Sequence, residues 1–361
     1  MEKTRDIVCI SIPFVVGVAV TEVFLHHMSL SATISTGSLT LTIVAFLFLI
    51  ASRKDSRKSS FAILFFFTGI FCSTTGLLSS FTDAGGLAHI FESAADRLKE
   101  IIAGIPFPHE RTGSVVTALL TGDRSSVSRA DIECFRRSGA SHILALSGLH
   151  LGIIYALATK LLAIIGHSPA ARSIRSTAII LLSGFYTIMT GAGPSIVRAF
   201  LFIVLSEISR IDTERRHSPE FILLFVLTVQ LAIKPSVISS LGFQLSYLAM
   251  TGIVFVYPRL NAWYPTGGHK RDPMCKIWQS AALTISCQLF TAPLVWIKFH
   301  TFPQYFLITN LLALPLTTII VSTSVITTIL SAAGYCPDVL IICNDWMVEA
   351  LMKVLETISQ M

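Results

Sequence analysis

His142 and His150 stand eight residues apart in the stretch SHILALSGLH, residues 141–150, with Ser147 and Gly148 between them. Histidine is a residue type that ligates metals and moves protons. On one helix a spacing of eight is about 80° of rotation, a poor geometry for a shared metal, and neither ring has a carboxylate at ligand spacing. Each histidine is therefore either a buried hydrogen-bonding side chain or part of the lining of a polar path. A membrane enzyme using His142 or His150 is the weakest reading, because the chain carries no Walker loop, H-E-x-x-H, G-x-S-x-G or zinc-holding histidine–aspartate cluster. Seven cysteines include no C-x-x-C pair and read as buried packing residues. No catalytic residue, metal or cofactor is expected.

A second constellation is TGAGPSIVRAF, residues 190–200. Gly191, Gly193 and Pro194 break one helix and start the next, and Arg198 falls near the new helix's positive end. An ionisable residue within a span is a functional hypothesis by default, and snorkelling to headgroups is the alternative. Gln244 and Ser246 in SLGFQLSYLAMTG, and Gln288 and Asn310 near Pro293 and Pro315, add amides and hydroxyls at membrane depth. Each alone serves as glue between helices; together they predict an interior more polar than an anchor needs. Upstream, GDRSSVSRADIECFRRSG reads as a short amphipathic helix, with Ser128 and Asp131 at capping-box spacing and Gly139 as a stop. Arg124, Arg129, Arg136 and Arg137 then form a basic cluster that rests on anionic headgroups or meets a polyanion.

The elements that must position these residues are membrane helices. With 53% apolar and 13% charged residues, the chain departs from soluble composition, where about a quarter of residues are charged. Its charges gather in short patches between long apolar runs. The fold class predicted is all-α: a polytopic integral membrane protein with about 10–11 transmembrane helices, some short or broken. Spans are placed near 7–25, 37–51, 61–80, 142–165, 174–191, 195–210, 219–234, 237–257, 277–298 and 307–333, with a further one near 339–359 that polar residues interrupt. The basic N-terminus reads as an uncleaved first span. Putting it in the cytoplasm also places the basic segments at 52–58, Arg172 and Arg175, Arg215 and Arg216, and Arg259 to Lys276 inside, which accounts for most of the +6 net charge. Four parts are expected: N-terminal helices (1–81), a short external amphipathic segment (82–111), a membrane domain (112–337) and a C-terminal helix (338–361). Within the 142–165 span, Ser141, Ala145, Gly148, Gly152, Ala156, Thr159 and Ala163 form one stripe of small residues, so Gly148 and Gly152 are read as helix-packing positions.

The order of TGDRSSVSRADIECFRRSGASHILALSGLHLG, TGAGPSIVRAF, KPSVISSLGFQLSYLAMTG and QLFTAPLVWIKFH…NLLALPL resembles the ComEC family of bacterial competence proteins, the inner-membrane channels for transforming DNA. The resemblance covers roughly residues 112–335. It implies a channel that passes single-stranded DNA into the cytoplasm across the cell inner membrane, in contact with membrane lipids. It makes Asp123, Arg124, His142, Ser147, His150, Arg198 and Gln244 candidates for the DNA pathway, beside Arg129, Arg136, Arg137, Ser246, Gln288 and Asn310. Two departures stand out: about thirty residues (82–111) occupy the place of an OB-like domain, and the chain stops before a metallo-β-lactamase-like domain. The resemblance then implies separate DNA-receptor, nuclease and cytoplasmic motor proteins. The alternative is a small-solute or lipid-linked transporter, or a non-transporting scaffold, that retains the fold.

Overall fold

The computed structural model describes residues 2–25, 31–51, 57–75, 85–166, 168–211, 217–264, 273–300 and 304–360. The basic residues at 52–56, Arg215 and Arg216, and Lys270 and Arg271 lie outside them. The described residues are helical, with no strand among them, and divide into two units, 1–86 with 212–250, and 87–211 with 251–361.

The first unit holds α1 (Glu2–Val20, continued by a π turn, Thr21–Leu25), α2 (Ser31–Ala51) and α3 (Arg57–Thr75). Helices α1 and α3 meet through reciprocal glycines. A Cβ on Gly17 would strike the Phe66 carbonyl, and one on Gly69 the Phe14 carbonyl. Such small residues let two backbones approach where lipid supplies no hydrophobic drive for association.

The second unit begins with α4 (Gly85–Ala103), α5 (Glu110–Thr121), α6 (Arg129–Arg137), the one-turn α7 (Ser141–Leu144) and α8 (Gly148–Leu161, followed by a 3-10 turn to Ile165). It continues with α9 (Pro169–Met189) and α10 (Pro194–Ile211). Chain from the first unit then contributes α11 (Pro219–Ile233) and the start of α12 (Leu241–Phe255), before α13 (Tyr257–Asn261), α14 (Pro273–Phe299), α15 (Phe306–Ala332) and α16 (Asp338–Ser359) complete the second. Two starts share one signal: Ser168 and Ser218 each cap a helix whose first residue is proline, accepting from Ala171 N at 3.1 Å and Phe221 N at 3.2 Å.

The chain is an all-α polytopic membrane protein. Among the described residues, five helices are long and apolar enough to cross a membrane, within Asp6–Val23, Lys58–Thr75, Gly148–Ile165, Pro273–Phe299 and Phe306–Ala332; Gly37–Ile50, α11 and α12 are shorter apolar helices. Helix α10 is not among the five because Arg198, Glu207 and Arg210 interrupt it, nor is α16, which carries Asp345, Glu349, Lys353 and Glu356.

The apolar piece SVVTALLTG, too short to cross a membrane, lies in α5, whose Val115, Val116, Leu119 and Leu120 are in the core of the second unit. Phe135 of α6, Ile143 and Leu144 of α7, Ile153 of α8, Ala313 and Ile320 of α15, and Val348, Leu351 and Leu355 of α16 join them. The buried positions 344, 348, 351, 355 and 358 of α16 follow a 4-3-4-3 spacing, one face of a helix. Asn344 on that face binds α15: its amide donates to Thr327 Oγ1 at 3.0 Å, and its carbonyl accepts from Ser324 at 3.3 Å and from Thr323.

Asp345 does a different job. Helix α5 starts at His109 without a side-chain cap of its own, and Asp345 reaches it from α16. The carboxylate accepts from His109 N at 3.3 Å and Thr112 Oγ1 at 2.6 Å, and meets His109 Nδ1 at 2.9 Å. Residues read from sequence as interruptions of a last span are thus its docking contacts.

Candidate functional site

The 141–165 segment is not one helix. It breaks at Ala145–Ser147, where the backbone turns extended (Ala145 ψ 125°, Ser147 ψ 172°). The small-residue stripe is therefore interrupted after its second member, and an 80° relation between His142 and His150 does not hold. Ser147 caps α8, accepting from Leu149 N at 3.3 Å, and His150 completes a capping box by accepting the Ser147 N–H on Nδ1, also at 3.3 Å. That bond fixes the neutral tautomer with the proton on Nε2.

Gly148 is a close approach. The space its Cβ would take lies 3.2 Å from Ala199 Cβ and 3.6 Å from Arg198 Nη2, so the guanidinium of α10 rests beside the first residue of α8. Gly152, read as a packing position, has nothing within 4 Å of that point. Gly191 (φ +83°) and Ala192 (φ +47°) turn the chain between α9 and α10, and Pro194 opens α10, as the motif predicts.

The GDR motif buttresses the break. Gly122 adopts φ +80°, and a Cβ there would collide with Leu146. Arg124 Nε donates to the Leu144 carbonyl at 3.1 Å, satisfying the end of α7. Asp123 accepts from Ser125 N at 3.0 Å and pairs with Lys99 Nζ of α4 at 2.9 Å, which holds its carboxyl well below the usual range. From the other side, Thr309 Oγ1 of α15 donates to the Ser138 carbonyl at 2.8 Å, and His142 Nδ1 lies 3.2 Å from the Gly139 carbonyl. Asp123, Arg124, His142, Ser147, His150 and Arg198 thus gather around the break and the start of α8, and Thr309, beside Asn310, reaches the same segment from α15.

The other sequence-derived residues lie elsewhere. Arg136 and Arg137 both grip Glu133 on their own helix, at 2.8 Å each, and draw its carboxyl down to about 2; they are not bare charges. Arg129 is exposed on the same helix. Gln288 lines a 520 Å³ groove with Ile285, Leu289, Ala292, Pro293, Trp296 and Phe306, in apolar rather than polar company. Gln244 and Ser246 belong to the first unit, where Gln244 Nε2 donates to the Ile238 carbonyl at 2.9 Å. Among the described residues, no group of three or more His, Cys, Asp or Glu is placed to hold a metal.

Two charge networks escaped the sequence reading. Glu207 is buried and joins three helices: Tyr155 OH and Ser176 Oγ donate to it at 2.7 Å each, and Arg210 pairs at 3.2 Å. A glutamate inside an apolar run with an arginine three residues on was the available signal. Arg111 of α5 binds Asp131 through Nε at 2.9 Å and Glu356 through Nη2 at 2.6 Å, tying α5, α6 and α16 together. Only the fold brings those three residues near.

This is a polytopic helical membrane protein with a polar cluster built on a broken helix. The competence protein family matches residues 119–361, about two thirds of the chain, and the chain belongs to that family. It is similar to ComE operon protein 3 of Bacillus subtilis (strain 168), 27% identical over 208 residues, which is 58% of this chain and 25% of the relative. It is similar also to "Uncharacterized protein YcaI" of Escherichia coli (strain K12), 27% identical over 221 residues, 60% of this chain and 28% of the relative. The matches thus cover about a quarter of each relative's length. No solved structure matches the chain.

Proposed function

We propose that the chain is the membrane core of a DNA-uptake apparatus, passing one strand of transforming DNA through the cell inner membrane into the cytoplasm. The observation that carries this reading is the family match over residues 119–361, which takes in α7, α8, α10 and α15 and the polar cluster they build. The likeness to ComE operon protein 3 supports it. With the N-terminus cytoplasmic, as the basic segments favour, the starts of α8 and α15 face outward, where an incoming strand would arrive. Arg129, Arg198 and the helix end offer sequence-independent attraction for phosphates, with no base-reading motif. The reading gives no residue a catalytic role.

The test is deletion in a naturally transformable host without a paralogue. Transformants should fall to background while DNA still binds the cell surface, and complementation should restore them. Transformation at the undeleted frequency would end the reading and leave the solute-transporter or scaffold alternative. Topology fusions after residues 55 and 130 should report inside and outside respectively; the reverse would refute the orientation.

A further inference from the structure

Two buried polar atoms at the starts of α8 and α15 have no hydrogen-bond partner among the described residues: His150 Nε2 and Asn310 Oδ1. The His150 side chain is 1% exposed. Because Nδ1 takes the Ser147 N–H, Nε2 carries the proton and is a donor without an acceptor. Native structures rarely leave a buried donor in that state, and each instance points to a bound group or water. The two helices pack together through a shared core holding Ile153 and Ala313, about one turn past each orphan. Thr309, next to Asn310, bonds Ser138, and His142, on the one-turn helix that leads into α8, meets Gly139, so both orphans belong to one end of this helix pair.

The surroundings define what would bind there. Arg198 lies against Gly148, placing a guanidinium beside the positive end of α8. Nearby carbonyls are engaged, Leu144 by Arg124 and Gly139 by His142. Donors and positive charge collect at this end, which is chemistry suited to an anionic oxygen. We propose that the start of α8, with Arg198 and the Asn310 amide, is a phosphodiester-binding site in which His150 Nε2–H donates to a non-bridging oxygen. Half a turn of the Asn310 amide presents Nδ2–H to the same group. The inference rests on the proposed function for the source of the phosphodiester, the DNA backbone.

The experiment uses the full chain in a maltoside detergent, labelled with ¹⁵N in the histidine rings. The probes are single-stranded oligothymidylate, the same oligomer with an uncharged methylphosphonate backbone, and glycerophosphoglycerol as a lipid headgroup. Oligothymidylate should move the His150 Nε2 resonance and the methylphosphonate oligomer should not. His150→Leu should weaken oligothymidylate binding about tenfold, and Arg198→Gln should flatten the salt dependence by about 0.7 in log–log slope. The resonance is read on the unaltered chain, so a variant that fails to fold does not block the test. If oligothymidylate binds with Nε2 unmoved and His150→Leu unchanged, Nε2 holds water alone; the inference is overturned and the proposed function stands. A shift with glycerophosphoglycerol and none with DNA overturns it in favour of a lipid headgroup. Absence of any oligothymidylate binding counts against the proposed function itself.

Discussion

Around Glu207 every carboxylate oxygen is answered: Oε1 by Tyr155 and Arg210, Oε2 by Ser176. The Arg210 guanidinium also lies 5.8 Å from the Tyr155 ring centre. At the starts of α8 and α15 the reverse holds, with a ring N–H and an amide oxygen buried and unanswered among the described residues. Both clusters use α8 and α10, so the same two helices carry a closed polar cluster and an open one. In a low-dielectric interior a closed cluster fixes helices to one another, whereas an open one is a defect unless something else completes it. Closure therefore separates polar groups that hold the fold from those that face a ligand.

The largest expected effect tests the closed side. Glu207→Ala leaves two hydroxyls and a guanidinium without their acceptor, and should lower stability by about 3–5 kcal/mol, measured as thermal unfolding of the detergent-solubilised chain. His150→Leu removes a donor that has no acceptor together with the Nδ1 acceptor of the Ser147 N–H, and should lower the same stability by about 1 kcal/mol. Equal destabilisation by the two substitutions would break the distinction.

Asp345 is a second closed case, answered by His109 N, the Thr112 hydroxyl and the His109 ring. Asp345→Ala should cost about 2–3 kcal/mol, since it uncaps α5 and strands Thr112, which is buried. Gly148→Ala tests the packing beside the open cluster. Ala199 must give by a few tenths of an ångström, and a loss of about 1–2 kcal/mol is expected. Gly152→Ala, with nothing near its Cβ, should be neutral or slightly stabilising.

The contrast between these two glycines shows where sequence reading stops. Helix spacing put Gly148 and Gly152 on one stripe, and both lie on α8, yet only Gly148 meets α10 while Gly152 is free of close contacts. Local signals were legible: the Ser128 cap, the Gly139 stop and the Pro194 start all lie where turn and cap chemistry places them. The family motifs were legible as an order along the chain. That GDR leans on LALSG through Leu146 and Arg124 was not, because a contact between segments leaves no periodicity to read. The Arg111–Asp131–Glu356 and His109–Asp345 pairs were hidden for the same reason, their partners lying 20 to 245 residues apart.

The smallest effect belongs to the closed cluster that holds a histidine. The His109 side chain that meets Asp345 is 60% exposed, so this cluster should respond to pH. The hydrogen bond from Asp345, then its charge, raises the His109 pKa above 6.5. Burial works to raise the Asp345 carboxyl, yet hydrogen bonds from Thr112 and His109 outweigh it and bring it below its ordinary value of 3.8. The histidine's contribution is therefore complete below about pH 6.5 and fades as pH rises through its raised pKa. The aspartate's holds above about pH 4 and fades as pH falls through its lowered one. His109→Gln should accordingly destabilise the chain more at pH 6 than at pH 8.5. Thermal unfolding of the variant and the unaltered chain at both pH values decides it: a His109→Gln loss independent of pH would mean that the ring is held there by packing rather than by its charge on Asp345.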